Sequence, residues 1–189
     1  MKKLFPSLTS CGVVCLALCI LAPWPSRAED TRLMSLGLRM GISGSSPIGE
    51  EEQSDFQQYD VVATFALPWG SYSQSGWGVG TRFLGSAGAL TGAGETGFIA
   101  TFVPGISLGS KDRRISLDIG AGFALLSDYR FGNQNFGGPF QLVANIGVSV
   151  AVYKALGLGY QFQHISDAGI YGSDSRGVDL HMFEVSYRY

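Results

Sequence analysis

The sequence predicts an all-β protein: an eight-stranded antiparallel β-barrel that crosses a membrane. Three observations carry this expectation. Only 15% of the 189 residues are charged, while 46% are hydrophobic and 12% aromatic, against about 25% charged residues in a soluble domain. Apolar residues alternate with period two along most of the chain, and no stretch sustains a 3.6-residue period. Long and short connections alternate between the patterned stretches, as the two ends of a spanning barrel require.

Residues 1–28 are read apart from the rest, as a secretory signal. Lys2 and Lys3 precede an apolar stretch from Val13 to Ala22, and Ser26-Arg27-Ala28 places small residues where a signal peptidase cuts. That stretch is too short to span about 30 Å of hydrocarbon as a helix, and Pro23 and Pro25 follow it. Cys11, Cys15 and Cys19 are the chain's three cysteines and leave with the signal, so residues 29–189 offer no disulfide, thiolate ligand or cysteine nucleophile. Cleavage also removes Lys2, Lys3 and Arg27 from the 13 basic residues and none of the 15 acidic ones, leaving a formal charge of −5. No basic patch invites nucleic acid.

The first strand is expected over 33–43, with Leu36, Leu38, Met40 and Ile42 on one face and Gly37, Arg39 and Gly41 on the other. A second, over 57–68, sets Tyr59, Val61, Ala63, Phe65 and Leu67 against Asp60, Thr64 and Ala66. The third, 76–87, is poorer, with Trp77, Val79, Thr81 and Phe83 opposed to Gly78, Gly80 and Arg82. The fourth, 96–109, contains Pro104, which cannot donate to a ladder and calls for a bulge or local distortion. The clearest alternation runs over Ile115 to Leu125 and Phe140 to Val152, where aliphatic residues oppose Ser116, Asp118, Gln141, Asn145 and Ser149. Stretches 155–166 and 178–189 complete the eight.

Small and polar residues on one face and aliphatics on the other match an inside-out barrel. An eight-stranded barrel has room inside only for side chains. A soluble sandwich also alternates, but its connections would not sort by length. Here 44–56, 88–95, 128–139 and 167–177 are long, whereas 69–75, 110–113 and 153–155 are short. With the mature N-terminus on the side of the short turns, the end of 155–166 and the start of 178–189 meet at the outer leaflet. Gly92 to Gly97 formally fits a dinucleotide fingerprint, yet strand-like Phe98 to Val103 follows where a helix is required, so it is read as a flexible outer loop. Lys111, Arg113 and Arg114 are read as a solvated cluster in a short turn.

The outer face of 155–166 runs Leu156, Leu158, Tyr160, Phe162 and then, with the same parity, His164 and Ser166. The outward parity of the last strand runs from Tyr189 back through His181 to Asp179. If Ser166 pairs with Asp179, His164 faces His181 and lies diagonal to Asp179; a register shifted by two residues puts Asp179 directly opposite His164. A serine, a histidine and a carboxylate so disposed can act as nucleophile, general base and orienting group. The plainer alternative is that strand ends at headgroup level are simply polar.

His164-Ile165-Ser166-Asp167-Ala168-Gly169, then Gly177-Val178-Asp179 and the terminal strand, resemble the PagL family of outer-membrane lipid A 3-O-deacylases, whose motif is His-x-Ser-Asn-x-Gly followed by an acidic residue. The resemblance implies a barrel in the bacterial outer membrane, among outer-membrane lipids, that hydrolyses the ester-linked acyl chain at position 3 of lipid A, the anchor of lipopolysaccharide. It implies catalysis by His164, Ser166 and Asp179 on the lipid-facing surface, with neither metal nor cofactor. The family's asparagine is Asp167 here, and an ionised carboxylate cannot donate to an oxyanion, so backbone N–H groups around Ala168 and Gly169 take that part. Asp179 stands where the family usually has glutamate, and Glu184 points inward by parity. The rival reading is a non-catalytic small barrel acting structurally or through its loops.

Overall fold

The computed structural model describes residues 31–44, 55–172 and 177–189. The signal segment 1–28 and most of the 44–56 connection lie outside the described residues. Period-two alternation becomes ten strands: β1 Arg32–Ser43, β2 Gln57–Tyr72, β3 Trp77–Gly92, β4 Glu95–Ser110, β5 Ile115–Leu126, β6 Arg130–Phe131, β7 Gln134–Asn135, β8 Phe140–Tyr153, β9 Leu156–Ser166 and β10 Val178–Arg188. Eight of them close a barrel in the order β1-β10-β9-β8-β5-β4-β3-β2, and β6 with β7 forms a separate hairpin. Closure comes from β1 against β10, antiparallel from Ser35↔Arg188 to Ser43↔Leu180. With each of the eight barrel strands paired on both sides, the barrel has no open sheet edge facing hydrocarbon.

The faces sort inside out. Leu38 on β1 is 68% exposed and its neighbour Arg39 is 3% exposed. Leu36, Met40 and Ile42 join Leu38 on the outer wall, where burial in lipid takes the place of burial in a core. The lumen has two layers. In its outer part Phe56, Phe131 and Phe136 pack edge to face, with centroids 5.5, 5.7 and 6.0 Å apart, over buried Leu90, Ile99, Leu126 and Leu180. Phe131 and Phe136 flank the β6–β7 turn, so this outer connection folds back into the mouth.

Below the aromatic layer the lumen is polar. Arg39 donates to both carboxylate oxygens of Asp60, at 2.9 and 2.7 Å, and also to Gln161 and Ser86. Gln58 and Ser86 donate to the same carboxylate. Arg82 approaches Asp118 at 3.3 Å through Nε without hydrogen-bond alignment, and its Nη2 donates to Asn145. Beneath this layer a cavity of about 390 Å³ opens at the end of the short turns, with Glu184, Lys111, Arg113 and Arg188 among its lining residues. The expected surface cluster is therefore divided. Arg114 pairs with exposed Asp112, whereas Arg113, in a left-handed conformation, turns into the mouth and donates to the Met34 sulfur. Burial there lowers the Arg113 guanidinium below its ordinary value.

Two expectations need correction. The connection over 88–95 is no long loop: β3 continues to Gly92, β4 begins at Glu95, and Ala93 and Gly94, both at positive φ, make a two-residue turn. The fingerprint-like Gly92 to Gly97 is thus a tight hairpin, whose turn type tolerates only residues at ease in that region. The turn at 69–75 is likewise shorter, because β2 runs on to Tyr72 past a register shift between Ala66 and Gly70, around Pro68. Pro104 brings the expected local distortion, though not as a bulge, since no register shift occurs. Val103 and Pro104 drop out of the β4–β5 ladder while Phe102↔Phe123 and Gly105↔Gly120 keep one register on either side.

Small residues hid the outer half of β3, because Gly85-Ser86-Ala87-Gly88-Ala89 lacks apolar alternation. Gly88 is needed there for close approach: a Cβ would lie 1.9 Å from the Tyr59 carbonyl oxygen and 2.5 Å from the Asp60 Cα. Gly88→Val is expected to force β2 and β3 apart and to destabilise the barrel by about 1–3 kcal/mol, read as a lower urea midpoint for unfolding in detergent.

Candidate active site

The β9–β10 hairpin carries the candidate site. On β9 the outward parity delivers Tyr160, Phe162, His164 and Ser166 in succession, and on β10 it delivers Asp179, His181 and Phe183. The observed register pairs His164 with Asp179 and Phe162 with His181. Of the two registers the sequence allowed, this is the one that sets the carboxylate directly opposite the imidazole. On the other side of β9, Ala144 and Leu142 of β8 face His164 and Ser166.

The three side chains are in hydrogen-bond sequence. His164 Nδ1 lies 2.6 Å from Asp179 Oδ1, and His164 Nε2 lies 3.1 Å from Ser166 Oγ. An ionised carboxylate only accepts, so Nδ1–H donates to Asp179, which leaves the Nε2 lone pair to accept from the Ser166 hydroxyl. The carboxylate side chain is 2% exposed and the imidazole 28%, so the acid is sealed while the base meets the surroundings. Gly177 closes over the group: a Cβ there would lie 3.0 Å from Ser166 Cβ and 3.2 Å from His164 Cε1. Periodicity gave no hint of this contact. Its only trace in the sequence is a glycine just ahead of the last strand.

The residues after Ser166 form a compact turn. Asp167, 5% exposed, accepts from the N–H groups of Gly169 at 3.1 Å and Tyr171 at 2.8 Å, and its carbonyl accepts from Ile170. Its carboxylate therefore shapes the turn, as acidic residues do where they bond their own following backbone. Gly169 is thereby occupied, while Ala168, at φ +50, presents an N–H with no partner among the described residues. Part of the 167–177 connection, residues 173–176, lies outside the described residues.

His181 stands apart from the triad. Its Nδ1 is 2.7 Å from the Tyr160 hydroxyl, and its ring stacks on Tyr160 and meets Phe162 edge on. Glu184 lies on the inner face, lining the cavity at the opposite end. The arrangement suits acyl transfer to a serine, with the nucleophile on the lipid-facing wall near its outer edge.

No curated protein sequence matches the chain. Among solved structures, the crystal structure of the outer membrane enzyme PagL superposes with a TM-score of 0.66 at 17% identity, covering 81% of this chain and 98% of that one. The backbone structure of the Yersinia pestis outer membrane protein Ail in a phospholipid bilayer nanodisc gives 0.44 at 12% identity, covering 82% and 99%. The first of these shows the same fold. The family model for lipid A 3-O-deacylase (PagL) matches residues 57–188, from the start of β2 to the end of β10. The chain is thus an outer-membrane enzyme, and it belongs to the PagL family of lipid A 3-O-deacylases.

Proposed function

We propose that this barrel hydrolyses the acyl ester at position 3 of lipid A through a covalent acyl-enzyme on Ser166. The observation that carries this reading is the chain of hydrogen bonds from Asp179 through His164 to Ser166 on the lipid-facing wall. A substrate that never leaves the bilayer needs a nucleophile it can meet from the side, at the height of its ester groups.

Ser166 Oγ attacks the ester carbonyl carbon while His164 Nε2 takes the hydroxyl proton. The buried Asp179 carboxylate stabilises the imidazolium so formed and holds its tautomer. The Ala168 N–H is proposed as the donor to the developing oxyanion, and the bonds from Gly169 and Tyr171 to Asp167 support the turn that carries it. Collapse of the tetrahedral intermediate breaks the bond to the sugar oxygen, which leaves with the proton from His164. Water then attacks the acyl-serine, giving its proton to His164, and collapse of the second tetrahedral intermediate releases the fatty acid as His164 returns that proton to Ser166 Oγ.

Lipid A extracted from membranes carrying the protein is expected to lose the mass of one hydroxyacyl chain, and the Ser166→Ala protein is expected to leave lipid A intact. An equal loss with both proteins would overturn the reading. Unchanged lipid A from both, repeated with purified barrel in detergent, would do so as well.

A further inference from the structure

The lumen carries charge at two heights, and only the upper one is balanced. In the polar layer each guanidinium has a carboxylate beside it: Arg39 is paired with Asp60, and Arg82 lies 3.3 Å from Asp118. Glu184 stands across from Arg39 on β10, so this layer holds no surplus of positive charge. Nearer the short turns the sign changes. Arg32, Lys111, Arg113 and Arg188 all line the inner cavity, and among the described residues none of the four is ion-paired with a carboxylate.

The acids within reach are engaged elsewhere. Asp112 is bound by Arg114 at 3.0 Å in an exposed pair and gives the cavity its carbonyl, which accepts from Arg188 Nη2 at 2.9 Å. Asp118 acts on Arg113 from the layer above, but its carboxylate is already held by Ser116 and faces Arg82.

The fold nevertheless brings these cations together. Arg113 sits at φ +54 in the turn between β4 and β5, and its Nη1 reaches the Met34 sulfur on β1, an acceptor without charge. Arg32, two residues before Met34, is near enough to Arg113 for the two charges to oppose each other. Arg188 packs its stem over Gly157, where a Cβ would lie 3.0 Å from the arginine Cδ. Gathering like charges at a half-buried mouth costs free energy, and an anion shared between them offsets it. Guanidinium forks match the oxygens of a phosphoryl group two at a time, and a lysine adds a point charge. The cavity, about 390 Å³, is within the size range of small-molecule pockets.

We propose that the inner mouth of the barrel binds a phosphoryl anion between Arg32, Lys111, Arg113 and Arg188, at the end of the molecule opposite the triad. A free phosphate compound and a phospholipid headgroup of the inner leaflet share this chemistry. The site takes no part in the proposed hydrolysis. Its ligand would join β1, the β4–β5 turn and β10, and so clasp the seam where the first and last strands meet, at Ser35↔Arg188.

The test is calorimetric titration of inorganic pyrophosphate into the refolded barrel in a non-ionic detergent at fixed ionic strength. One saturable site per barrel is expected, together with a higher urea midpoint than in sodium chloride of the same ionic strength, because the ligand binds only the folded form. Arg113→Gln is expected to weaken binding tenfold or more. Lys111→Gln, at an exposed position on the same turn, is expected to weaken it several-fold and gives an independent reading should the first variant fold poorly. Lys154→Gln removes an equal charge from the neighbouring β8–β9 turn, outside the cavity lining, and is expected to leave affinity within twofold. Equal losses in the Lys111 and Lys154 variants would mean general attraction to a basic rim and would overturn the inference. Absence of saturable binding at millimolar pyrophosphate would overturn it as well. Phosphatidylglycerol added to the micelles distinguishes the two sources: displacement of pyrophosphate assigns the site to a lipid headgroup, and undiminished binding assigns it to a free phosphate compound.

Discussion

Asp179→Asn is expected to lower kcat by about 10³–10⁴-fold with KM little changed. The amide nearly preserves the shape of the carboxylate but can present its NH2 to His164, and the imidazole then favours the tautomer that carries its proton on Nε2. Nε2 would face the Ser166 hydroxyl with a hydrogen where a lone pair is needed. Because Asp179 is 1% exposed, no water stands ready to replace the lost charge as the imidazolium forms. Asp179→Glu keeps that charge and is expected to lose far less, as the glutamate usual in this family suggests. His164→Ala combined with Asp179→Asn should cost little more than His164→Ala alone, because the groups act as a unit. Equal loss in the asparagine and glutamate variants would argue that Asp179 only fills space. Single-turnover and steady-state kinetics on the purified barrel distinguish these outcomes.

Asp60→Ala is expected to destabilise the barrel by up to about 3–5 kcal/mol, since it removes the carboxylate bonded to Arg39 and leaves the guanidinium only Glu184, its cross-strand neighbour on β10, as a nearby counter-charge. The side chains of this pair are 1% and 0% exposed. Arg39 would keep its bonds to Gln161 and Ser86, which satisfy donors but carry no charge. Replacing both partners, Arg39→Met with Asp60→Leu, is expected to recover most of the loss, because a buried pair removed whole leaves no orphan. Urea unfolding in detergent, compared around the double-mutant cycle, measures the coupling directly. An Asp60→Ala barrel as stable as the unaltered one would mean that Glu184, or water in the inner cavity that Arg39 lines, compensates the guanidinium.

Alternation made the barrel legible, because a strand between lipid and a narrow lumen has to sort large apolar residues from small and polar ones at every second position. It did not reveal the outer half of β3. There the outer face carries Gly85, Ala87 and Ala89 and the inner face carries Ser86 and Gly88, so size and polarity no longer distinguish the two sides. Register was legible only modulo two. Sliding β10 past β9 by two residues leaves every side chain on its own face, so parity placed His164, Ser166 and Asp179 on one wall without saying which residue stands opposite His164. The lumen pairs were hidden for a related reason. Period two assigns Arg39, Asp60, Arg82 and Asp118 to the inside, but not to a common height. Asp167 was read for what its charge forbids, and its bonds to Gly169 and Tyr171 depend on a turn that no spacing rule encodes.

The layered filling of the lumen has an electrical consequence. Ions crossing this barrel would have to pass the interlocked rings of Phe56, Phe131 and Phe136, and then a layer in which Arg39 and Asp60 already neutralise each other. A ring cluster offers no hydration to a passing ion, and a neutralised pair offers no field to draw one in. Along the described residues the lumen is therefore expected to insulate rather than conduct, and the proposed chemistry lies on the outer wall.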